Sequence, residues 1–425
     1  MLQISFIRES KDRVIEGLKR RNFKEEDLKI VDDLIALDDE RRSLQTDLEN
    51  ALAERNQMSK AIGELMKSGK ADEAASARNR VNELKAASES TDARLSEITS
   101  QLTALLYTVP NIPHESVPFG VSAEDNDIYK DWPHPMPELG ENAQPHWELA
   151  KKYNLFDLEL GVKITGAGFP VYRGKGARLQ RSLVAFFLDA ASEAGYEEIQ
   201  PPLMVNEASA TATGQLPDKE GQMYYVTEDD LYLIPTAEVP VTNIYRDVIL
   251  DESDFPIRLT GYTPCFRREA GSYGAHVRGL NRVHQFDKVE IVRIEHPDRS
   301  YDALMGMLEH VEGLLQKLEL PYRILRLCGG DMGFASALTF DFEVWSAAQK
   351  RWLEVSSVSN FETFQSHRMK LRFRDGKNNR LAHTLNGSAL ALARIVAALL
   401  ENNQTPEGIV IPKALRPYTG FERIS

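Results

Sequence analysis

The stretch Cys265-Phe-Arg-Arg-Glu-Ala-Gly-Ser-Tyr-Gly-Ala-His-Val-Arg-Gly-Leu-Asn-Arg-Val-His-Gln-Phe-Asp-Lys-Val-Glu290 decides how this chain folds and what it holds. It reads as the end of one strand, a glycine-bearing loop and the start of a second strand. The flanking residues extend those strands to Arg258–Arg267 and His284–Ile294. Side chains alternate faces along a strand. Arg267 and Glu269 are therefore expected on one face, as are Phe286, Lys288 and Glu290 on the partner strand. An arginine, a lysine, two carboxylates and an aromatic ring would then share one sheet surface. Alone, such a group is more often a solvated face with cross-strand ion pairs than a site.

Working outward, Gly168–Tyr172 reads as a short strand and Ala177–Ala194 as an amphipathic helix. Met223–Val226 and Leu231–Ile234, separated by Thr-Glu-Asp-Asp, read as a hairpin. Strands follow near 340–345 and 352–358, then a helix from about 388 to 402. Strands joined by hairpins, with helices set apart, give an α+β fold on an antiparallel sheet with flanking helices. Within the last helix, the 12 residues Ala389–Leu400 are apolar apart from Arg394, too short a run to span a bilayer. A charge in that run needs a partner, protein or ligand. Asn386-Gly387-Ser388 just before it reads as a turn and N-cap.

The N-terminal quarter has a different period. Positions 34, 37, 41, 44, 48, 51, 55, 58, 62 and 65 are apolar except Arg41 and Arg55. Positions 74, 77, 81, 84, 88, 91, 95, 98, 102 and 105 are apolar except Ser88 and Thr91. Both are coiled-coil seams. They are mirror images about Lys67-Ser68-Gly69-Lys70, which implies an antiparallel helical hairpin. At ~1.5 Å per residue the seams make an arm of roughly 45 Å. Such an arm either reaches a partner or forms an oligomer interface. The prolines from Pro110 through Pro145 mark 107–147 as a linker. The chain thus divides into 1–106 with its arm at 34–105, the linker, and a mixed domain at 148–425.

Composition excludes several classes. The 425 residues carry 51 basic and 64 acidic side chains, a net −13, with 27% charged and 42% apolar. That is globular composition, and its acidity argues against nonspecific coating of nucleic acid. Residues 51–85 reverse the sign, with 7 basic and 5 acidic side chains. Two cysteines, Cys265 and Cys328, exclude a disulfide framework and fit a reducing cytosol. The N-terminus lacks a secretory pattern, and a cytoplasmic protein with no membrane partner is expected. Neither G-x-x-x-x-G-K-[ST] nor G-x-G-x-x-G occurs.

Taken in order, these segments resemble the seryl-tRNA synthetase family of class II aminoacyl-tRNA synthetases. Phe266-Arg267-Arg268-Glu269 with its loop resembles motif 2, and Asn386-Gly387-Ser388 through Arg394 resembles motif 3. The helix from Ala177 into Glu198-Ile199-Gln200-Pro201-Pro202 resembles motif 1, whose proline lies at the family's dimer interface. Thr236-Ala237-Glu238 and Arg278-Gly279-Leu280 through Glu290 resemble segments specific to the seryl enzymes, and the hairpin resembles their tRNA-binding arm. The resemblance covers nearly the whole chain. A lone FRxE would be weak, whereas the ordered set is specific.

The resemblance implies roles residue by residue. Arg267, Arg394 and Glu354 are the expected catalytic set. ATP binding falls to Arg267, Arg268, Glu269, Val283, Phe286, Glu354, Val355, Ser356, Ser357 and Arg394. Within it Arg267 takes the α-phosphate, Glu269 reads adenine, Phe286 stacks on it and Arg394 takes the γ-phosphate. Serine binding falls to Thr236, Ala237, Glu238, Arg267, Glu290 and Ser388. Glu354 and Ser357 are the expected Mg²⁺ ligands. Strand parity pairs Glu354 with Ser356 instead, unless a bulge resets the phase. On the arm, Arg55, Lys60, Lys70, Arg78 and Arg80 are the expected tRNA contacts. The implied partners are ATP, Mg²⁺, L-serine, tRNA(Ser) and, where it exists, tRNA(Sec), with the arm of a homodimer serving tRNA bound across it. Ala389 and Ala393 stand where the family often has glycine, and Arg268 where it often has serine. Two other readings compete: a paralogue charging a non-tRNA acceptor, against which the arm argues, and an inactive RNA-binding homologue, against which the intact site set argues.

Overall fold

The computed structural model describes residues 1–218, 221–269 and 277–425. Most of the glycine-bearing loop, 270–276, lies outside the described residues. The chain forms two compact units: Leu2–Lys19 with Phe23–Pro110, and Met1 with Arg20–Asn22 and Asn111–Ser425.

The first unit carries the helical hairpin. Its helices run Lys29–Lys67 and Ala71–Leu106, of 39 and 36 residues. The turn between them uses Gly69 at φ +73°, a left-handed conformation that glycine adopts without strain. Every seam position is buried or half-buried, while the intervening positions are mostly exposed. The charge at seam position Arg41 is met locally. It pairs at 2.7 Å with Asp38, a fully buried carboxylate that also takes Arg42 at 2.9 Å and Arg8 at 3.3 Å. Desolvating a carboxylate is tolerable only with this kind of compensation.

The second unit is built on an eight-stranded sheet. We number its strands β1 (Asp127–Lys130), β2 (Glu197–Glu198), β3 (Ile257–Phe266), β4 (Gln285–Glu295), β5 (Tyr322–Arg326), β6 (Leu338–Ser346), β7 (Arg351–Asn360) and β8 (His383–Ala391). The spatial order is β1-β5-β6-β7-β8-β4-β3-β2. All pairings are antiparallel except β2 with β3. Helices Gly174–Glu193, Ser300–Lys317 and Leu392–Asn402 cover the sheet. Their Phe187, Leu304, Val311, Ile395 and Leu399 pack with Val289, Ile291, Phe342 and Val344 of the strands in one core. Each such side chain contributes about 1.5–3 kcal/mol by burial.

Several sequence expectations are corrected here. The helix expected from about 388 begins at Leu392, with Ala391 as N-cap, and Ser388 lies inside β8. An apolar run such as Ala-Leu-Ala-Leu does not separate helix from strand by period. Here β7 and β4 both pair with β8, so the chain stays extended until Ala391. Asp127–Lys130, inside the stretch read as linker, is an edge strand paired with β5. The short strand at 168–172 shrinks to Val171–Tyr172, paired with Phe156–Asp157. The hairpin at 223–234 forms as Tyr225–Val226 and Leu231–Leu233, and gains a third strand, Met204–Asn206.

Candidate active site

The face expected from strand parity forms on β4. Lys288 Nζ reaches Glu290 Oε2 at 2.6 Å and donates to Thr236 Oγ at 2.8 Å. Thr236 Oγ donates to Glu290 Oε2 at 3.1 Å, and Asn386 Nδ2 donates to Glu290 Oε1 at 3.0 Å. All four residues are buried. Ser388 is also buried and stands in register opposite Glu290 across the β4–β8 pair.

Arg267 follows directly on β3. Its guanidinium lies 5.3 Å from the centre of the Phe286 ring, and its Nε donates to the Pro235 carbonyl at 3.2 Å. Next to Thr236, Ala237 is wholly buried and Glu238 opens the helix Glu238–Thr242. Gln365 donates to Glu238 Oε1 at 2.6 Å, and Thr384 holds Gln365 in turn at 2.7 Å. Burial, then the nearby Glu290 charge, pushes the Glu238 carboxyl up to about 7. A cation arriving beside Glu238 would relieve that penalty.

Parity fails at Glu269. β3 ends at Phe266, and Glu269 takes a left-handed backbone at φ +49°, so alternation no longer links it to Arg267. Its carboxylate pairs instead with Arg282. Arg268 turns elsewhere: it donates to the Met223 carbonyl at 2.9 Å and stacks on Tyr224. Val283 buries its side chain in the main core, which leaves only its backbone for a ligand.

On β7 a bulge does reset the phase. Phe342 opposes Ser356 while Glu343 opposes Glu354, so Val355 is the extra residue. Asp341 opposes Ser357. Asp341 and Glu343 share a face of β6, so Glu354 and Ser357 share that face too. Ser356 turns inward and donates to the Ser388 carbonyl at 2.6 Å. Burial, then Glu354, pushes the Asp341 carboxyl well above the carboxylate range, and its Oδ1 has no hydrogen-bond partner among the described residues. Arg394 sits above this group. It donates to the carbonyls of Asn281 at 2.8 Å and Glu354 at 2.7 Å, and lies 3.7 Å from Glu354 Oε2.

On the arm, Lys60, Lys70, Arg78 and Arg80 are exposed and Arg55 is half-buried at its seam position. Arg80 pairs with Glu54 at 3.0 Å and Glu83 at 3.4 Å, and Lys70 with Glu73 at 3.0 Å.

Sequence reasoning gave no role to Lys288, Asn386, Gln365 or Asp341. Lys288 stands two residues before Glu290 on one face, and Asp341 two before Glu343, so both were within reach of the alternation rule. Gln365 is far in sequence from Glu238 and carried no local signal.

The sheet and its site define a class II aminoacyl-tRNA synthetase: residues 224–403 match the class II core domain of the Gly, His, Pro, Ser and Thr enzymes. Residues 1–113 match the seryl-tRNA synthetase N-terminal domain. A serine–tRNA ligase of Salinibacter ruber is 52% identical over 100% of this chain and 99% of its own length. That of Prosthecochloris aestuarii is 47% identical over 100% and 99%. Among solved structures, seryl-tRNA synthetase from Pyrococcus horikoshii complexed with ATP superposes with a TM-score of 0.91 at 33% identity, covering 100% of this chain and 99% of that one. The chain belongs to the seryl-tRNA synthetase family. Its reaction is that of a serine–tRNA ligase: activation of L-serine with ATP and transfer to tRNA(Ser). Among the described residues, no helix is long and apolar enough to cross a membrane.

Proposed function

We propose that the buried cluster of Thr236, Glu238, Lys288, Glu290 and Ser388 is the serine pocket, and that ATP lies between it and Arg394. The observation that carries this reading is the Glu290 carboxylate, buried yet held by Lys288, Thr236 and Asn386 beside Ser388. A polar wall prepared inside a core suits a small hydroxyl side chain. An apolar substrate would leave its groups unpaired. Glu238 faces the serine ammonium, and the planar fork of Arg267 spans the serine carboxylate and the α-phosphate.

The serine carboxylate is already a nucleophile, so no general base is needed. Its oxygen forms a bond to the α-phosphorus as the bond to pyrophosphate breaks. Arg267 neutralises charge at the reacting phosphate, and Arg394 does so at the leaving end. The terminal ribose hydroxyl of tRNA then attacks the seryl carbonyl carbon, and AMP leaves. Phe286 and Glu269 hold adenine. Mg²⁺ fits the face of Glu354 and Ser357, where half-buried Asp341 has a buried oxygen without a hydrogen-bond partner among the described residues. When bound there, it would supply charge neutralisation to the phosphates.

The arm takes tRNA away from the acceptor end by backbone contact and shape, since RNA offers side chains no readable major groove. Lys60 and Arg78 are the foremost contacts. Arg80 and Lys70, already paired with glutamates, contribute less charge. The enzyme works as a homodimer, consistent with exposed Leu203 and Met204 just after Pro201-Pro202. It charges tRNA(Sec) wherever that tRNA exists. Binding of two stable adenylate mimics tests the pocket: the seryl sulfamoyl-adenosine should bind far more tightly than the alanyl one. Equal affinity would overturn the assignment.

A further inference from the structure

His146 and Glu401 are fully buried, far apart in sequence, and absent from every role above. His146 Nδ1 lies 2.7 Å from Glu401 Oε1, and its backbone N–H donates to the same oxygen at 3.0 Å. The other carboxylate oxygen accepts from the Ser346 hydroxyl. A carboxylate only accepts, so the imidazole proton sits on Nδ1. That leaves Nε2 bare, and it accepts the backbone N–H of Leu280 at 2.8 Å. The neighbouring Gly279, at φ +70°, brings its backbone so close that a Cβ there would lie 2.2 Å from Nε2. Burial is the largest influence on the Glu401 carboxyl and pushes it up, but the His146 ring and backbone donors and the Ser346 hydroxyl together hold the group below its ordinary value. This is an ionised, fully bonded post inside the core.

The post leads to the nucleotide. Gln349 donates to Glu401 Oε1 at 2.9 Å. Its own Oε1 accepts from Asn281 Nδ2 at 2.8 Å. The Asn281 carbonyl then accepts from Arg394 Nε at 2.8 Å. Next along, Arg282 pairs with Glu269. One short segment, 279–282, therefore sets the position of both Arg394 and Glu269, and two independent bonds anchor it: Leu280 to His146 and Asn281 to Gln349.

We infer that His146, Glu401, Gln349 and Asn281 are positioning residues for ATP, holding segment 279–282 so that Arg394 and Glu269 meet the nucleotide correctly. This rests on the reading of Arg394 as a phosphate ligand. Among the described residues, none of the four hydrogen-bonds to the serine cluster, so their effect should fall on ATP and spare serine.

The experiment measures KM for ATP and for serine separately in pyrophosphate exchange, with thermal midpoints alongside. Gln349→Met keeps the size of a half-buried turn residue and removes both amide bonds. It should raise the ATP KM about three- to tenfold, the effect of losing one or two hydrogen bonds, with the serine KM unchanged and the midpoint nearly so. His146→Leu should raise the ATP KM further. His146→Gln, which can offer an oxygen to Leu280, should recover part of the loss. If Gln349→Met leaves the ATP KM unchanged, or moves the ATP and serine KM values together, the network is merely structural and the inference is wrong. Arg394→Ala is the control: an unaltered ATP KM there would sink the phosphate assignment itself, whatever Gln349 does.

Discussion

Glu290 on β4 and Ser388 on β8 face one another in register across adjacent antiparallel strands. The bonds from Lys288, Thr236 and Asn386 fix the Glu290 carboxylate before any substrate arrives. Discrimination at this site is therefore preorganised. Glu290→Gln keeps the shape but loses the charge-assisted bonds. It should raise the serine KM at least about tenfold, as expected for hydrogen bonds to a charged group, and leave the ATP KM unchanged. Equal rises for both substrates would contradict a hydroxyl-reading role.

Glu238 gives the enzyme a pH signature. Its carboxyl is pushed up to about 7 in the ligand-free fold, from an ordinary value of 4.5. Between those values the folded state holds the proton more tightly than the unfolded chain. Raising the pH through that window therefore lowers the stability of the ligand-free protein. The serine ammonium favours the ionised form, so serine should bind better as pH rises from 6 to 8. Urea midpoints between pH 4.5 and about 7 and serine KM values from about pH 6 to 8 test the two trends. Glu238→Gln should flatten the two together.

Arg394→Ala should lower ATP use by orders of magnitude. It also strips a donor from the carbonyls of Asn281 and Glu354. A stability loss of about 1–3 kcal/mol should accompany the kinetic one. Kinetic loss far beyond the stability loss marks a ligand contact. A collapse of stability with normal ATP affinity in the folded fraction marks a structural arginine.

Asp341→Asn should weaken Mg²⁺, because its buried carboxylate oxygen, without a partner among the described residues, lies on the face of Glu354 and Ser357. Loss of a supporting carboxylate at a metal site lowers affinity about 10–100-fold. Direct Mn²⁺ binding by paramagnetic relaxation, in the presence of ATP, checks this apart from turnover. Unchanged Mn²⁺ affinity would remove Asp341 from the site.

These residues were unequally legible in the sequence. The hairpin read out fully because a sustained heptad pattern admits few alternatives, and its exception, buried Asp38, needed a contact with distant Arg8. Lys288 and Glu290 followed from alternation because β4 pairs with β3 without a break there. Alternation misled at Glu269, where the backbone leaves the strand, and at Ser356 and Ser357, where an extra residue at Val355 shifts the phase. Ser388 was misplaced because an apolar strand paired on both edges looks like a buried helix. The His146–Glu401 pair had no local signal, since topology alone brings those residues together.

Replacing residues 35–104 by a short Gly/Ser linker should spare serine activation, since the hairpin buries its own seam and every residue assigned to touch ATP or serine lies beyond 230. Serylation of tRNA should fall by orders of magnitude. In the intact enzyme the arm-dependent share of tRNA affinity should weaken as salt rises. Survival of both activities would remove the arm from tRNA recognition.

The most direct measurement is ATP–pyrophosphate exchange by the intact protein with serine, alanine or glycine as the only amino acid. The polar wall of Glu290 and Ser388 predicts robust exchange with serine and near-background exchange with alanine and glycine. Equal exchange with alanine would contradict the serine pocket, and no exchange with any of the three would contradict the catalytic assignment as a whole.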